Sequence, residues 1–406
     1  MTRIPLTTPV PSALSDELAK RVYFVSDAIT GFSLVRSGDE ITGVDLTTET
    51  SSSVDPVELA RKLHVVVTND VLGQRHVEPK VVWRAAALGT ARYAFDELLA
   101  RGAATELGEG QIALGEPVLS LMDHLDGKIR ALVIAEFGAQ EYRYPTLMTT
   151  DALRRTGYAE SFPQLLMFVS RLQGDVDSYQ GFLDSLAESG ELSQALRAHG
   201  GRFDHCLPPT MCFHTYHQYA DRELPSPSLV VTACGKSFRH ESRYRRSLER
   251  LWDFTIREIV FLGSPGFVLS SRTRLMEMTY TLMESLGLGG QCEVASDPFF
   301  LNEGTAARTW SQRLLEQKYE LRLPLDEEAD GGSAGTEDRA RDVSVASFNY
   351  HEQFFGRSFG ILDAVGEPVF TGCAGFGLER LAFAFLCRHG VDPEGWPTAV
   401  RTAVAP

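Results

Sequence analysis

The chain has 406 residues, 43% hydrophobic and 23% charged, an ordinary globular mixture that excludes a largely disordered or fibrous protein. With 39 basic and 54 acidic side chains its formal charge is −15, so its average surface repels nucleic acid, and RNA binding would need a local basic patch. No apolar run reaches the roughly 18 residues of a membrane-spanning helix, and the N-terminus carries no apolar signal segment.

Residues 1–19, rich in Pro, Thr and Ser, read as a loose lead-in. RVYFVSDAITGFSLVRSGDEITGVDLTTE (21–49) then predicts strands broken by Gly and Asp turns. DPVELARKLHVVVTNDV (55–71) predicts a capped amphipathic helix followed by an apolar β run. Together these make a small α/β accessory domain, placed at 1–110 because RGAATELGEGQ is Gly-rich and polar. The remainder, 111–406, is long enough to bury a sizeable core. In PVLSLMDHLDGKIRALVIAEFG (117–138) apolar residues recur every three or four positions, which predicts a long helix, and AQEYRYPTLM continues it with a short strand and Pro145. Further strands are expected at Ser228–Val231, Ile259–Leu262, Tyr319–Leu323 and Val343–Asn349, with a hairpin over Phe359–Thr371. Residues 325–342, acidic and Gly-rich, read as a mobile, exposed loop. The fold class is α+β, a mostly antiparallel sheet with helices on it.

Chemistry concentrates in two segments. KSFRHESRYRRSLERLWDFTIREIVFLG (236–263) sets Arg239 and Glu241 two apart, on one face if the segment is a strand, before a basic loop of Arg243, Arg245, Arg246 and Arg250. Guanidinium groups suit a triphosphate, a carboxylate can accept from an adenine amine, and Phe254 can stack on a purine. A salt-bridged, exposed hairpin is the plain alternative. VFTGCAGFGLERLAFAFL (369–386) reads as a Gly-rich turn opening an apolar helix, with Arg380 in its first turns adding positive charge at an anion-favouring helix start. Either segment alone is weak.

In this order, a helix–strand–Pro, an FRHE with a basic loop and second strand, and a GxGxxR opening a helix resemble the three motifs of class II aminoacyl-tRNA synthetases over residues ~111–395. The match is closest to the atypical zinc-dependent seryl-tRNA synthetases, and closer still to their truncated relatives, the amino acid:carrier protein ligases. RTGYAESFPQL, PTMCFHTY, ASDPFF and VASFNYHEQFFG resemble that ligase family. The resemblance implies that Arg239 holds the ATP α-phosphate, Glu241 the adenine amine, Phe254 the adenine face and Arg380 the γ-phosphate. It implies adenylation with Mg²⁺-bound ATP, although the Asp342–Val343–Ser344 stretch leaves the Mg²⁺ ligand unplaced.

Six cysteines, at 206, 212, 234, 292, 373 and 387, show no paired framework, which favours a reduced cytoplasmic setting. Spacing supports no metal site. The resemblance does: it implies zinc on Cys212, Glu258 and Cys373, with a fourth position open to a substrate amine. The other cysteines read as small buried hydrophobes, and His214, His217 and His240 are not expected to join the metal. Asn349 matches a residue facing the amino-acid pocket, and Glu258 borders that pocket. No basic or coiled-coil arm for tRNA is visible, so the implied acceptor is the phosphopantetheine thiol of a carrier protein, with Arg154, Arg155, Arg171 and the loop arginines as docking candidates. The expected enzyme is a homodimeric ligase activating a small amino acid, glycine or alanine. A seryl-tRNA synthetase and a non-catalytic regulatory paralogue remain as alternatives.

Overall fold

The structure, a computed structural model, describes all residues except 27, 49–54, 73–79, 87–88, 173, 242–246, 296–315, 328–340 and 405–406. The Pro/Thr-rich start is not a loose lead-in. Thr2–Pro11 is strand β1, held by the buried Ile4 and Val10 and paired with β3 (Glu40–Thr48), which also pairs with β2 (Ile29–Ser37). β1 lies at the sheet edge, where a proline without an N–H is tolerated.

Asp55 caps helix α1 (Pro56–Val66) by accepting from the Val57 amide at 2.9 Å. The expected β run after it is instead a π-helical turn, Val67–Val71. Leu59, Leu63, Val67 and Val71 are all buried in one apolar cluster, so an i, i+4 ladder of burial overrides the β preference of the valines. Among the described residues this cluster draws only on 4–72. Val81–Ala85 (β4) belongs instead to the large sheet, and Tyr93, Phe95 and Leu98 pack in that sheet's core, so the apolar cores divide well before residue 110.

The long helix forms as expected, as α2 (Val118–Phe137), ended by Gly138 in the left-handed conformation. The remaining elements that build the site follow in order: β5 (Gln140–Tyr142), α3 (Cys212–Gln218), β6 (Leu229–Phe238), β7 (Asp253–Gly263), α4 (Pro265–Ser285), β8 (Gly290–Val294), β9 (Lys318–Asp326), β10 (Arg341–Glu352), β11 (Phe370–Gly377) and α5 (Leu378–His389). The large sheet runs β4-β8-β9-β10-β11-β7-β6-β5, with every pairing antiparallel except β6 with β5. Ile259 and Phe261 face a core shared with α2, α4 and α5, while Val260 and Leu262 face a second core with Cys212 and Cys373. Period-two alternation along β7 thus separates a packing face from a face that carries the site.

The hairpin expected over Phe359–Thr371 is present in short form: Leu362 bridges Pro368, the Val369 amide donates to the Ile361 carbonyl at 3.1 Å and the Asp363 amide to the Glu367 carbonyl at 2.8 Å, while Ile361–Leu362 also pairs in parallel with Arg222–Glu223. One expectation near the C-terminus changes. The Gly-rich turn is a central strand, β11. Its Gly372 is required by close approach, since a Cβ there would meet the Asn349 carbonyl oxygen at 2.8 Å. Most of the acidic loop and all of ASDPFF beyond Ala295 lie outside the described residues. Among the described residues no helix is long and apolar enough to cross a membrane.

Candidate active site

Cys212 is the first residue of α3, Glu258 sits mid-β7 and Cys373 mid-β11. In the β7–β11 ladder Glu258 opposes Gly375 and Cys373 opposes Val260, so Glu258 and Cys373 are diagonal neighbours on one face. α3 lays Cys212 over them. The three ligand atoms lie within 4.8 Å of one another and all three residues are buried. Among the described residues this is the one group of three or more His, Cys, Asp or Glu side chains spaced to hold a metal. Gly375 makes room: a Cβ there would lie 3.3 Å from Glu258 Oε2.

The cluster is electrostatically unsatisfied by itself. Burial pushes the Glu258 carboxyl up to about 7, against hydrogen bonds that pull it down. The Cys212 thiol is raised, chiefly by burial, and the Cys373 thiol is pushed well up, first by Cys212 and then by burial. A divalent cation reverses these preferences by favouring thiolate and carboxylate. Two sulfurs and one carboxylate oxygen are a zinc-type donor set. Tetrahedral bonds of about 2.3 and 2.0 Å place such ligands about 3.5–3.8 Å apart, within the observed spacing.

Neighbours orient the trio. Thr210 Oγ1 donates to Glu258 Oε2 at 3.1 Å and lies 3.7 Å from Cys212 Sγ. Asn349 Nδ2 donates to Cys373 Sγ at 3.4 Å, and its buried Oδ1 has no partner. His351 Nε2 is 3.8 Å from Cys373 Sγ, and its Nδ1 is 3.3 Å from the Tyr216 hydroxyl. Sequence reading missed Thr210 and His351, although both sit in quoted stretches. His351 lies two positions beyond Asn349, where the β10–β11 register is irregular, and that irregularity leaves its ring beside Cys373.

Beside the trio lies a guanidinium cluster. Arg239 falls just past the end of β6, so it and Glu241 are not strand neighbours; the Glu241 amide instead bonds back to the Arg239 carbonyl at 2.7 Å. Arg239 Nε donates to the Pro209 carbonyl at 3.0 Å, one residue before Thr210, and its guanidinium lies 5.4 Å from the Phe254 ring centre. Burial would raise the Glu241 carboxyl, but Arg250, Arg239 and Arg380 hold it below its ordinary value, with Arg250 Nη1 at 2.9 Å. Arg380 is half-buried; burial first, and then Arg250, lower it to about 10. Three guanidiniums against one carboxylate leave the pocket cationic and suited to a polyphosphate. Arg243, Arg245 and Arg246 lie outside the described residues.

Other candidates fall elsewhere. His214 is buried against Tyr144, His217 is exposed and His240 packs on Trp252; none joins the metal group. Cys206, Cys292 and Cys387 are buried in the apolar cores, and Cys234 is partly buried. Of the docking candidates, Arg155 is engaged with Asp221 at 2.8 Å and the Ser358 carbonyl, while Arg154 pairs with Asp151 and Arg171 is exposed.

The chain matches no protein-family profile. It is 33% identical over 285 residues to amino acid–acyl-carrier-protein ligase 1 of Bradyrhizobium diazoefficiens, covering 70% of this chain and 82% of that protein. It is also 33% identical over 293 residues to ligase 2 of the same organism, covering 72% and 81%. The type-2 serine–tRNA ligase of Methanococcus aeolicus is 29% identical over 309 residues, covering 73% of this chain and 56% of that one. Among solved structures, the SerRS of M. kandleri, in complex with A. aeolicus tRNASec, superposes with a TM-score of 0.69 at 23% identity over 92% of this chain and 73% of that one. The seryl-tRNA synthetase of Pyrococcus horikoshii, complexed with ATP, gives 0.56 at 13% identity over 78% and 63%. These likenesses establish the class II synthetase catalytic fold, and the sequence identity establishes the rest: the chain belongs to the amino acid–acyl-carrier-protein ligase family and is a ligase.

Proposed function

We propose that the protein activates a small amino acid with ATP and transfers it to the phosphopantetheine thiol of a carrier protein. The observation that carries this reading is the adjacency of an anionic-ligand trio and a cationic pocket, joined through Pro209 and Thr210. Cys212, Glu258 and Cys373 would hold zinc, which when bound supplies an open ligand position and positive charge for a substrate α-amine. Asn349 offers its unpartnered Oδ1 to the same pocket.

ATP, with Mg²⁺ on its phosphates, would lie across Arg239, Phe254 and Arg380. Glu241 would accept from the adenine amine, with Arg250 shared or displaced. The substrate carboxylate attacks the α-phosphorus, the bond to the bridging oxygen breaks and pyrophosphate leaves. The carrier thiol, giving up its proton, then attacks the acyl carbon, and AMP leaves with the bonding pair. Arg239 and Arg380 orient the phosphates and spread the developing charge, and that positioning is the main contribution of such a site. Glycine and alanine are the proposed substrates, and a homodimer built through α2 is the proposed assembly. The free cysteines support a reducing, cytoplasmic setting.

Amino-acid-dependent ATP–pyrophosphate exchange across the twenty amino acids, with and without a zinc chelator, tests the reading. Exchange with one small amino acid, lost on chelation and in Cys373→Ala, is the expected result. Product analysis with a phosphopantetheinylated carrier protein and with tRNA then separates the ligase from a tRNA-charging enzyme. No exchange with any amino acid overturns the reading in favour of a non-catalytic paralogue.

A further inference from the structure

We propose that Tyr93, Glu249 and Arg341 form a latch that positions Arg380 for the polyphosphate end of ATP; the inference rests on the adenylating reading above. Arg380 donates from Nε to the Glu249 carbonyl at 2.8 Å and from Nη1 to the Ser344 carbonyl at 3.2 Å. These carbonyls belong to two separate segments, the one that follows the basic loop and strand β10. Both partners are neutral, so they orient the guanidinium without cancelling its charge. A carboxylate in their place would have done both.

The latch fixes the two segments to each other. Glu249, which lends its carbonyl to Arg380, gives its carboxylate to Arg341, at 3.2 Å from Nε to Oε1 and through a second bond from Nη2 to Oε2. Arg341 opens β10, three residues before Ser344. Tyr93 closes the triangle. Its hydroxyl lies 3.3 Å from Glu249 Oε2 and accepts from Arg341 Nη2 at 2.9 Å, and the Arg341 guanidinium sits 3.8 Å over its ring. The same ring meets Phe383 edge-on at 5.3 Å, on the helix that carries Arg380. Ser247 Oγ adds a bond to Glu249 Oε2 at 3.0 Å.

Glu249 is only 3% exposed. A carboxylate this deep needs its cation, so loosening Arg341 leaves Glu249 to rotate toward water and draw its carbonyl away from Arg380. The residue that completes the device, Tyr93, comes from ahead of α2. The segment between β4 and α2, which packs in the large sheet's core, therefore supports the nucleotide site, and it does so through backbone support of one arginine rather than by touching nucleotide. These three are positioning residues.

The test is calorimetric binding of ATP, with magnesium, and of AMP to the full chain. Wild type is compared with Glu249→Gln, Arg341→Lys, Tyr93→Phe and Arg380→Ala, with thermal unfolding alongside. AMP lacks the phosphates Arg380 reaches. Arg380→Ala and the latch variants should each weaken ATP about tenfold and leave AMP within about twofold, a split that a general loosening of the fold would not give. Tyr93→Phe keeps the ring and its packing, so it remains informative if the charge variants unfold. Equal losses for ATP and AMP overturn the latch, as does undiminished ATP binding in all three latch variants while Arg380→Ala is impaired. A wild-type chain that binds neither nucleotide overturns the adenylation reading, and the latch with it.

Discussion

Replacing Glu258 by Gln should stabilise the metal-free protein while abolishing its capacity for metal. Glu258 is buried among two thiols that hydrogen-bond it together with Thr210, and among the described residues no cation is in bonding contact with it. Burial raises its carboxyl in the folded chain to about 7, against 4.5 for the ordinary group, and at about 1.4 kcal/mol per pH unit the difference makes about 3 kcal/mol. An acid whose folded value is raised binds more protons folded than unfolded between those two limits. The metal-free wild type therefore loses stability as pH climbs from about 4.5 to about 7 and stays low above that. Gln is nearly isosteric, retains an oxygen for Thr210 and has no charge to bury, so the variant lacks this decline. Urea unfolding in chelator at about pH 5 and about pH 8 measures it: the two proteins should be close at the lower pH, with the variant about 3 kcal/mol more stable at the higher. With zinc added the order should reverse, because only the wild type gains the ligand's binding free energy. A variant less stable than wild type at about pH 8 in chelator would refute the reasoning, since the carboxylate would then have a stabilising partner.

Other outcomes follow from the same geometry. Gly375→Ala puts a Cβ 2.8 Å from Ile256 Cδ1 and 3.3 Å from Glu258 Oε2; zinc affinity, read by chelator competition, should fall about tenfold, with about 1–3 kcal/mol of overpacking cost in unfolding. Arg257→Met removes a 2%-exposed guanidinium that holds Asp126 through two 2.6 Å bonds and Glu141 through one at 3.1 Å, tying β7 to α2 and β5. The loss should sit near the low end of the roughly 3–5 kcal/mol range, about 3 kcal/mol, because both carboxylates keep access to water; a loss below about 1 kcal/mol would show the network to be redundant. Arg239→Lys keeps the charge but not the planar fork, so ATP affinity should drop about tenfold while zinc binding stays unchanged. Equal ATP affinity in that variant would remove Arg239 from the phosphate site.

Local pattern was legible where one segment decides its own structure. The three- and four-residue spacing of Val118, Leu121, Met122, Leu125 and Ile129 gave α2, and the Asp–Pro start gave the cap of α1. It failed where burial overrode composition. Val67–Val71 reads as β by residue type, yet continues the i, i+4 ladder of Leu59 and Leu63. Thr2–Pro11 reads as loose, yet finds an edge on β3 that asks little of its prolines. The glycines of 372–377 read as a turn, although they lie in a strand, where Gly372 and Gly375 are crowded by their neighbours.

The same division holds for the site. Sequence alone determined which groups are available: Arg239, Glu241, Phe254 and Arg380 cluster in two short segments, and their order resembled a family to which the identity of the curated relatives assigns the chain. Spacing never joined Cys212, Glu258 and Cys373; a family resemblance named them and the tertiary structure places them side by side, and only it revealed Thr210, His351 and the Tyr93–Glu249–Arg341 support. The reason is register. Glu258 and Cys373 share a face because Val260 opposes Cys373 across β7 and β11. A slip of one residue between those strands would move one of them to the opposite face, and no spacing along the chain records that alignment.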